Sequence, residues 1–132
     1  MIAACYEAIC YTCAAIPDGV AHSWRRSMTV LRVCYKQGVR FDEDYYISKH
    51  LPLTAGVMGP HGLKNVEMVR VTKTADGSKP PYQVMFSAHF ESGAGLQNAL
   101  QSPQMGSVLN DIQNFYDGMP DVFIGEVVAL PV

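Results

Sequence analysis

The sequence is poor in charge and has no strong excess of either sign. Only 17% of its 132 residues are charged, with 10 Lys and Arg against 12 Asp and Glu, a formal net charge of −2. That balance excludes the basic field with which proteins usually hold nucleic acid nonspecifically. No apolar run approaches the roughly 18 uninterrupted residues that a membrane-spanning helix needs. No Gly-rich phosphate loop or dinucleotide fingerprint follows a strand pattern, and no G-x-S-x-G elbow occurs. Neither a bound nucleotide nor a nicotinamide is therefore indicated, and the expectation is a chain without a cofactor. What the chain does have is 48% apolar residues in a length that suits one small soluble domain.

The text changes character at Met28. Residues 1–27 (MIAACYEAICYTCAAIPDGVAHSWRRS) hold three of the four cysteines and the only Trp. Their charges cancel, Glu7 and Asp18 against Arg25 and Arg26. A secretory signal opens with basic residues ahead of an apolar core, whereas here no Lys or Arg precedes Arg25 and Glu7 interrupts the run. The reading is a poorly ordered N-terminal extension over 1–27, Met28 as the natural start, and one domain over 28–132. Cys5, Cys10 and Cys13 have the C-x4-C-x2-C spacing of plant-type two-iron clusters. The fourth ligand would have to be Cys34, inside a predicted strand, where the sheet rather than a wrapping loop fixes the side chain. Reduced thiols in the cytoplasm are the reading preferred over a cluster or disulfides.

From Met28 onward the pattern becomes regular. Residues 29–36 (TVLRVCYK) are β-branched and aromatic enough for a strand, closed by Gly38. Asp42 is placed to cap a helix, with Glu43 and Asp44 putting negative charge where its unpaired N–H groups favour it. Pro52 disfavours helical dihedrals at Leu51 and lacks an N–H, so the helix is expected to kink or stop there. Gly56, Gly59, Pro60 and Gly62 read as a loop leading to a second strand over 66–73 (VEMVRVTK). Asp76-Gly77 marks a turn. Residues 82–91 (YQVMFSAHFE) read as the third strand, and Ser92 opens a short helical stretch ending near Gln101. Ser102 as cap and Pro103 at the first helical position restart a helix whose stripe is Met105, Val108, Leu109, Ile112 and Phe115. Residues 122–130 (VFIGEVVAL) read as the fourth strand. The class is α+β: a ferredoxin-like β-α-β-β-α-β order, with a four-stranded antiparallel sheet and both helices on one face.

That order leaves the second face of the sheet uncovered. In the third strand Tyr82, Val84, Phe86, Ala88 and Phe90 belong under the helices. Gln83, Met85, Ser87, His89 and Glu91 point away from them. The second strand is apolar on both sides, with Val66 and Met68 on one and Val69 and Val71 on the other. Monomers seldom leave such a surface in water, so two copies are expected to pack face to face as a homodimer.

Residues 41–53 (FDEDYYISKHLPL) resemble the signature of the EthD family, named for ethyl tert-butyl ether degradation, within the dimeric α+β barrel superfamily. Supporting pieces are Tyr35-Lys36, Gly62-Leu63-Lys64, Phe90, Ser102-Pro103, Asp111, Asn114 and Phe115. The resemblance spans Met28 to the C-terminus and leaves out residues 1–27. It implies a ferredoxin-like subunit that dimerises sheet to sheet, which agrees with the patterning. It implies little about reaction type, since related barrels include cofactor-free monooxygenases, lactone isomerases and polyketide cyclases.

His50 is the residue of this cluster most able to move a proton. Tyr46 lies four residues before it and shares its helix face. At the end of a helix the carbonyl dipole would favour the imidazolium, with Lys49 working in the opposite direction, so titration near neutrality is expected. Tyr35 or Tyr46 is placed to orient a ligand oxygen, and Leu53 would extend the face if the helix survives Pro52. His89, with Met85 and Ser87, could line a cavity on the dimer side. Tyr45 and Phe41 read as packing, and His61 as exposed. His50 and His61 could be grouped with Asp42, Glu43 or Asp44 as ligands, but the acids begin the helix and His50 ends it, some 9–12 Å away at 1.5 Å per residue, so no metal site is expected. Three functions compete. The first is a small enzyme binding a compact enone, lactone or phenol, with His50 transferring a proton in an isomerase-type or cyclase-type step. The second is a non-catalytic accessory or ligand-binding protein of a degradative pathway. The third is a cofactor-free oxygenase.

Overall fold

A computed structural model describes residues 28–131, so the extension expected over 1–27 lies outside the described residues. Met28–Val127 forms one compact unit. Alternating β-branched and aromatic residues set β1 (Met28–Lys36). Asp42 then opens the first helical run, its side chain accepting the Tyr45 N–H at 3.1 Å. The run consists of α1 (Glu43–Tyr45), a π-helical turn (Tyr46–His50), α2 (Leu51–Met58) and a 3-10 turn (Gly59–His61). After it come β2 (Leu63–Arg70), β3 (Tyr82–Phe90), α3 (Gly93–Gln101), α4 (Met105–Asp111), a 3-10 turn (Ile112–Asn114) and β4 (Asp121–Val127).

Pro52 neither stops the helix nor makes Gly56 part of a loop. A proline ring clashes with the carbonyl four residues back, here that of Ser48. The π turn relieves this, because Leu51 N–H reaches five residues back to the Tyr46 carbonyl and the coil widens just ahead of the ring. The helix therefore continues to Met58, and the chain leaves the following 3-10 turn at Gly62 with φ +91°, a left-handed geometry that suits glycine.

All pairings in the sheet are antiparallel, and the strand order is β2-β3-β1-β4. This is the ferredoxin-like arrangement. Several boundaries differ from the propensity reading, three of them for a clear reason. β2 starts at Leu63 rather than Val66, because Leu63 pairs with Phe90 and the Gly62 carbonyl accepts the Glu91 N–H. Ser102 closes α3 by donating to the Ala99 carbonyl and does not cap α4 with its side chain. β4 ends at Val127, where its partner strand begins at Met28.

The core lies between sheet and helices, with Leu31, Tyr35, Phe86, Phe90, Leu96 and Phe115 among its buried members. Met105, Val108, Ile112 and Phe115 are buried as the stripe predicts, whereas Leu109 is 58% exposed. On the opposite face, Val69, Phe123 and Val127 stand exposed beside half-buried Met85. Among the described residues no helix is long and apolar enough to cross a membrane.

Candidate functional site

The π turn is what brings the site together. Within it Tyr46 and His50 both turn inward and are buried, and the rings stack with centroids 5.5 Å apart. Phe115 closes on the imidazole from the end of the helical hairpin, at 4.5 Å. His50 Nδ1 lies 2.9 Å from Asp111 Oδ2, at the last residue of α4. The second oxygen, Oδ1, accepts from the Tyr45 hydroxyl at 2.7 Å and from Asn114 Nδ2 at 3.0 Å. Asn114 also donates to the Tyr45 oxygen at 3.2 Å. Asp111 thus gathers three donors from two helices, and its partner on the ring fixes Nδ1 as the protonated nitrogen. Nε2 keeps its lone pair.

The electrostatics agree with a neutral imidazole beside a carboxylate. Burial lowers the His50 pKa from its ordinary 6.5, and the Asp111 bond offsets only part of that effect. For Asp111, burial works upward, but the hydrogen bonds from Tyr45, Asn114 and His50 outweigh it and hold the carboxyl below its ordinary 3.8. The expected helix-end dipole plays no part: the helix runs on to Met58, so His50 lies inside it rather than in its last turn. Burial likewise raises the hydroxyls of Tyr35 and Tyr46, whose rings pack edge to face, and both stay un-ionised.

A cavity of about 90 Å³ opens beside the imidazole, between β1, β3 and the helices, with Tyr35, Tyr46, His50 and Thr54 in its otherwise apolar lining. Leu109 and Val122 also line it although each is more than half exposed, which places the mouth between α4 and β4. This explains why Leu109 leaves the buried stripe. Thr54 is buried, and its Oγ1 has no hydrogen-bond partner; such a vacancy costs about 1–3 kcal/mol.

Of the residues singled out by sequence, Tyr35, Tyr46 and His50 meet at this cavity. Leu53 does not line it; it packs half-buried against the core. His89 lies across the sheet, paired with Val30 on the face away from the helices, and its buried Nδ1 has no hydrogen-bond partner. Glu43 is held by Arg70 through a paired salt bridge, away from His50. Tyr45, read as packing, is a hydrogen-bonding member of the site. The sequence reading assigned no role to Asp111, Asn114 or Thr54. Thr54 was detectable as the residue four beyond His50, and Asp111 as the acid three after Val108 on the margin of the apolar stripe.

Comparison with known proteins now bears on this geometry. The chain superposes on an EthD-like protein from Ralstonia eutropha JMP134 with a TM-score of 0.69 and 26% identity, covering 78% of this chain and 94% of that one. An EthD family protein from Bacillus halodurans C-125 gives a TM-score of 0.61 at 19% identity, covering 77% and 99%. SnoaB, a cofactor-independent oxygenase from Streptomyces nogalater, shares the fold with a TM-score of 0.53 at 13% identity, covering 80% and 94%. No curated protein matches. The EthD domain matches residues 38–119, more than half of the sequence and the stretch that carries both His50 and Asp111; the chain belongs to the EthD family.

Proposed function

We propose that this EthD protein binds a compact oxygenated organic molecule in the cavity under its helices and moves a proton with His50. The observation that carries the reading is the 2.9 Å bond from His50 Nδ1 to Asp111 on a ring that also lines the cavity. A base must be neutral at working pH and oriented, and the buried imidazole is both. Asp111 holds the tautomer and steadies the imidazolium that forms when Nε2 accepts a proton. Tyr35 and Tyr46 give the site polar edges in an apolar wall. Size narrows the class. An apolar cavity of about 150 Å³ accepts benzene, so the enclosed part of this one, about 90 Å³, suits a small enone or lactone or one end of a phenol. Larger ligands would extend past Leu109 and Val122.

The proposed working form is a homodimer packed through the sheet face that carries Val69, Phe123 and Val127. A cytoplasmic setting fits Cys34, a buried free thiol. A second reading, the cofactor-free oxygenase, is favoured by the fold shared with SnoaB: the same proton removal would leave a carbanion for oxygen to attack. A panel of small enones, lactones and phenols tests these readings. Turnover that depends on pH and is lost in a folded His50→Ala variant supports proton transfer. Oxygen consumed in step with turnover selects the oxygenase. Binding without turnover contradicts catalysis and leaves a ligand-binding accessory protein.

A further inference from the structure

One turn beyond His50 the helix carries a polar group with nothing to bind. Thr54 is 4% exposed, lines the cavity, and its Oγ1 makes no hydrogen bond. A threonine inside a helix ordinarily can satisfy its hydroxyl on the carbonyl four residues back. That carbonyl belongs to His50, and the bond is not made. Spacing of four sets the two side chains on one stripe, roughly 5–6 Å apart between Cβ atoms. Tyr35 and Tyr46, whose rings pack edge to face, add two hydroxyls to the same lining. His50 and Thr54 both line the cavity, so a molecule entering it meets an imidazole and, one turn along the helix, a hydroxyl with no partner.

We propose that Thr54 binds the oxygen of the ligand, and that the ligand class is a compact ketone, ester or lactone with an acidic C–H bond next to its carbonyl. This rests on the reading of His50 as a neutral base. The Thr54 hydroxyl donates to the carbonyl oxygen, and the α carbon then faces Nε2. Proton transfer breaks the C–H bond and forms N–H. The C–H electron pair becomes the C=C bond of the enolate, and the carbonyl π pair moves onto oxygen, where Thr54 meets a full negative charge. Return of a proton from Nε2 to the same carbon exchanges hydrogen with solvent; return to a conjugated carbon isomerises the molecule. No oxidant or second substrate is consumed.

The probe is cyclopentanone in D2O with the full chain, and cyclopentane is the oxygen-free control. NMR reads α-deuteration of the ketone, and the methyl signals of Met58 and Met105, which line the cavity, read occupancy. The expected result is that both probes shift these methyls and that the α carbons of the ketone take up deuterium. Thr54→Val keeps the shape, and it should weaken the ketone roughly fivefold, leave the affinity for cyclopentane unchanged and slow exchange at least about tenfold. Thr54→Ser should retain both properties. Undiminished ketone affinity in Thr54→Val, or undiminished exchange in Thr54→Val while His50→Gln abolishes it, overturns the role of Thr54 and leaves His50 standing. Occupancy without exchange in the wild type overturns the ligand class. Methyls that respond to neither probe overturn the cavity reading, and Thr54 falls with it.

Discussion

At the scale of single residues the site is a neutral base on a buried acid. Asp111 is the least replaceable of its members, since three donors converge on one carboxylate. Asp111→Ala should cost about 2–4 kcal/mol in urea unfolding, because Tyr45, Asn114 and His50 lose their acceptor together. A loss below about 0.5 kcal/mol would show that water replaces the carboxylate freely. The titration of His50 has a definite sign. Its folded pKa lies below 6.5, so between the two values the unfolded chain binds more protons, and stability falls as pH drops through that window. Unfolding followed from pH 7.5 to 5 should show this slope, and His50→Gln should flatten it. A slope unchanged in the variant would assign it elsewhere. His50 stood out in the sequence because Tyr46 and Pro52 frame it. Asp111 appeared there only as a supporting piece of the family resemblance and not as its partner, because 61 residues separate the two and nothing local in either segment encodes the contact.

At the scale of elements, local rules located most of the chain and failed where pairing or backbone geometry outweighed them. Asp42 and Ser92 cap as their side-chain chemistry dictates. The glycines of residues 56–62 misled, because a π turn that no propensity encodes carries the helix past Pro52. Sheet register, not the β-branched content of 66–73, fixes where β2 begins. Where the helices meet, one glycine is demanded by space. A Cβ on Gly95 would lie 2.3 Å from the His61 carbonyl oxygen, a backbone atom with little room to move. Gly95→Ala should therefore destabilise by about 1–3 kcal/mol in thermal or urea melts. Gly106, in α4 with nothing within 4 Å, is the control. Gly106→Ala should gain about 0.5–1 kcal/mol from helix propensity alone. Equal effects of the two substitutions would mean that the close approach is not maintained.

At the scale of the whole molecule, the ferredoxin-like class was readable from the β-α-β-β-α-β succession, and the buried set under the helices from alternation in the strands and the 3.6-residue stripe of the last helix. The cavity was not, because its walls come from strands and helices far apart in sequence. The other sheet face bears on assembly. If two copies pack there, light scattering at micromolar concentration should give the mass of two chains, and Phe123→Glu, at an exposed position on that face, should give the mass of one. A wild-type mass of one chain removes the sheet-packed dimer. The proposed chemistry turns on the state of one imidazole, which 15N NMR of His50 reads without knowledge of the ligand. At neutral pH the spectrum should show a neutral ring, with the proton on Nδ1 and an unprotonated Nε2 whose signal moves when a small carbonyl compound is added. An imidazolium at that pH, or a proton resident on Nε2, would contradict it.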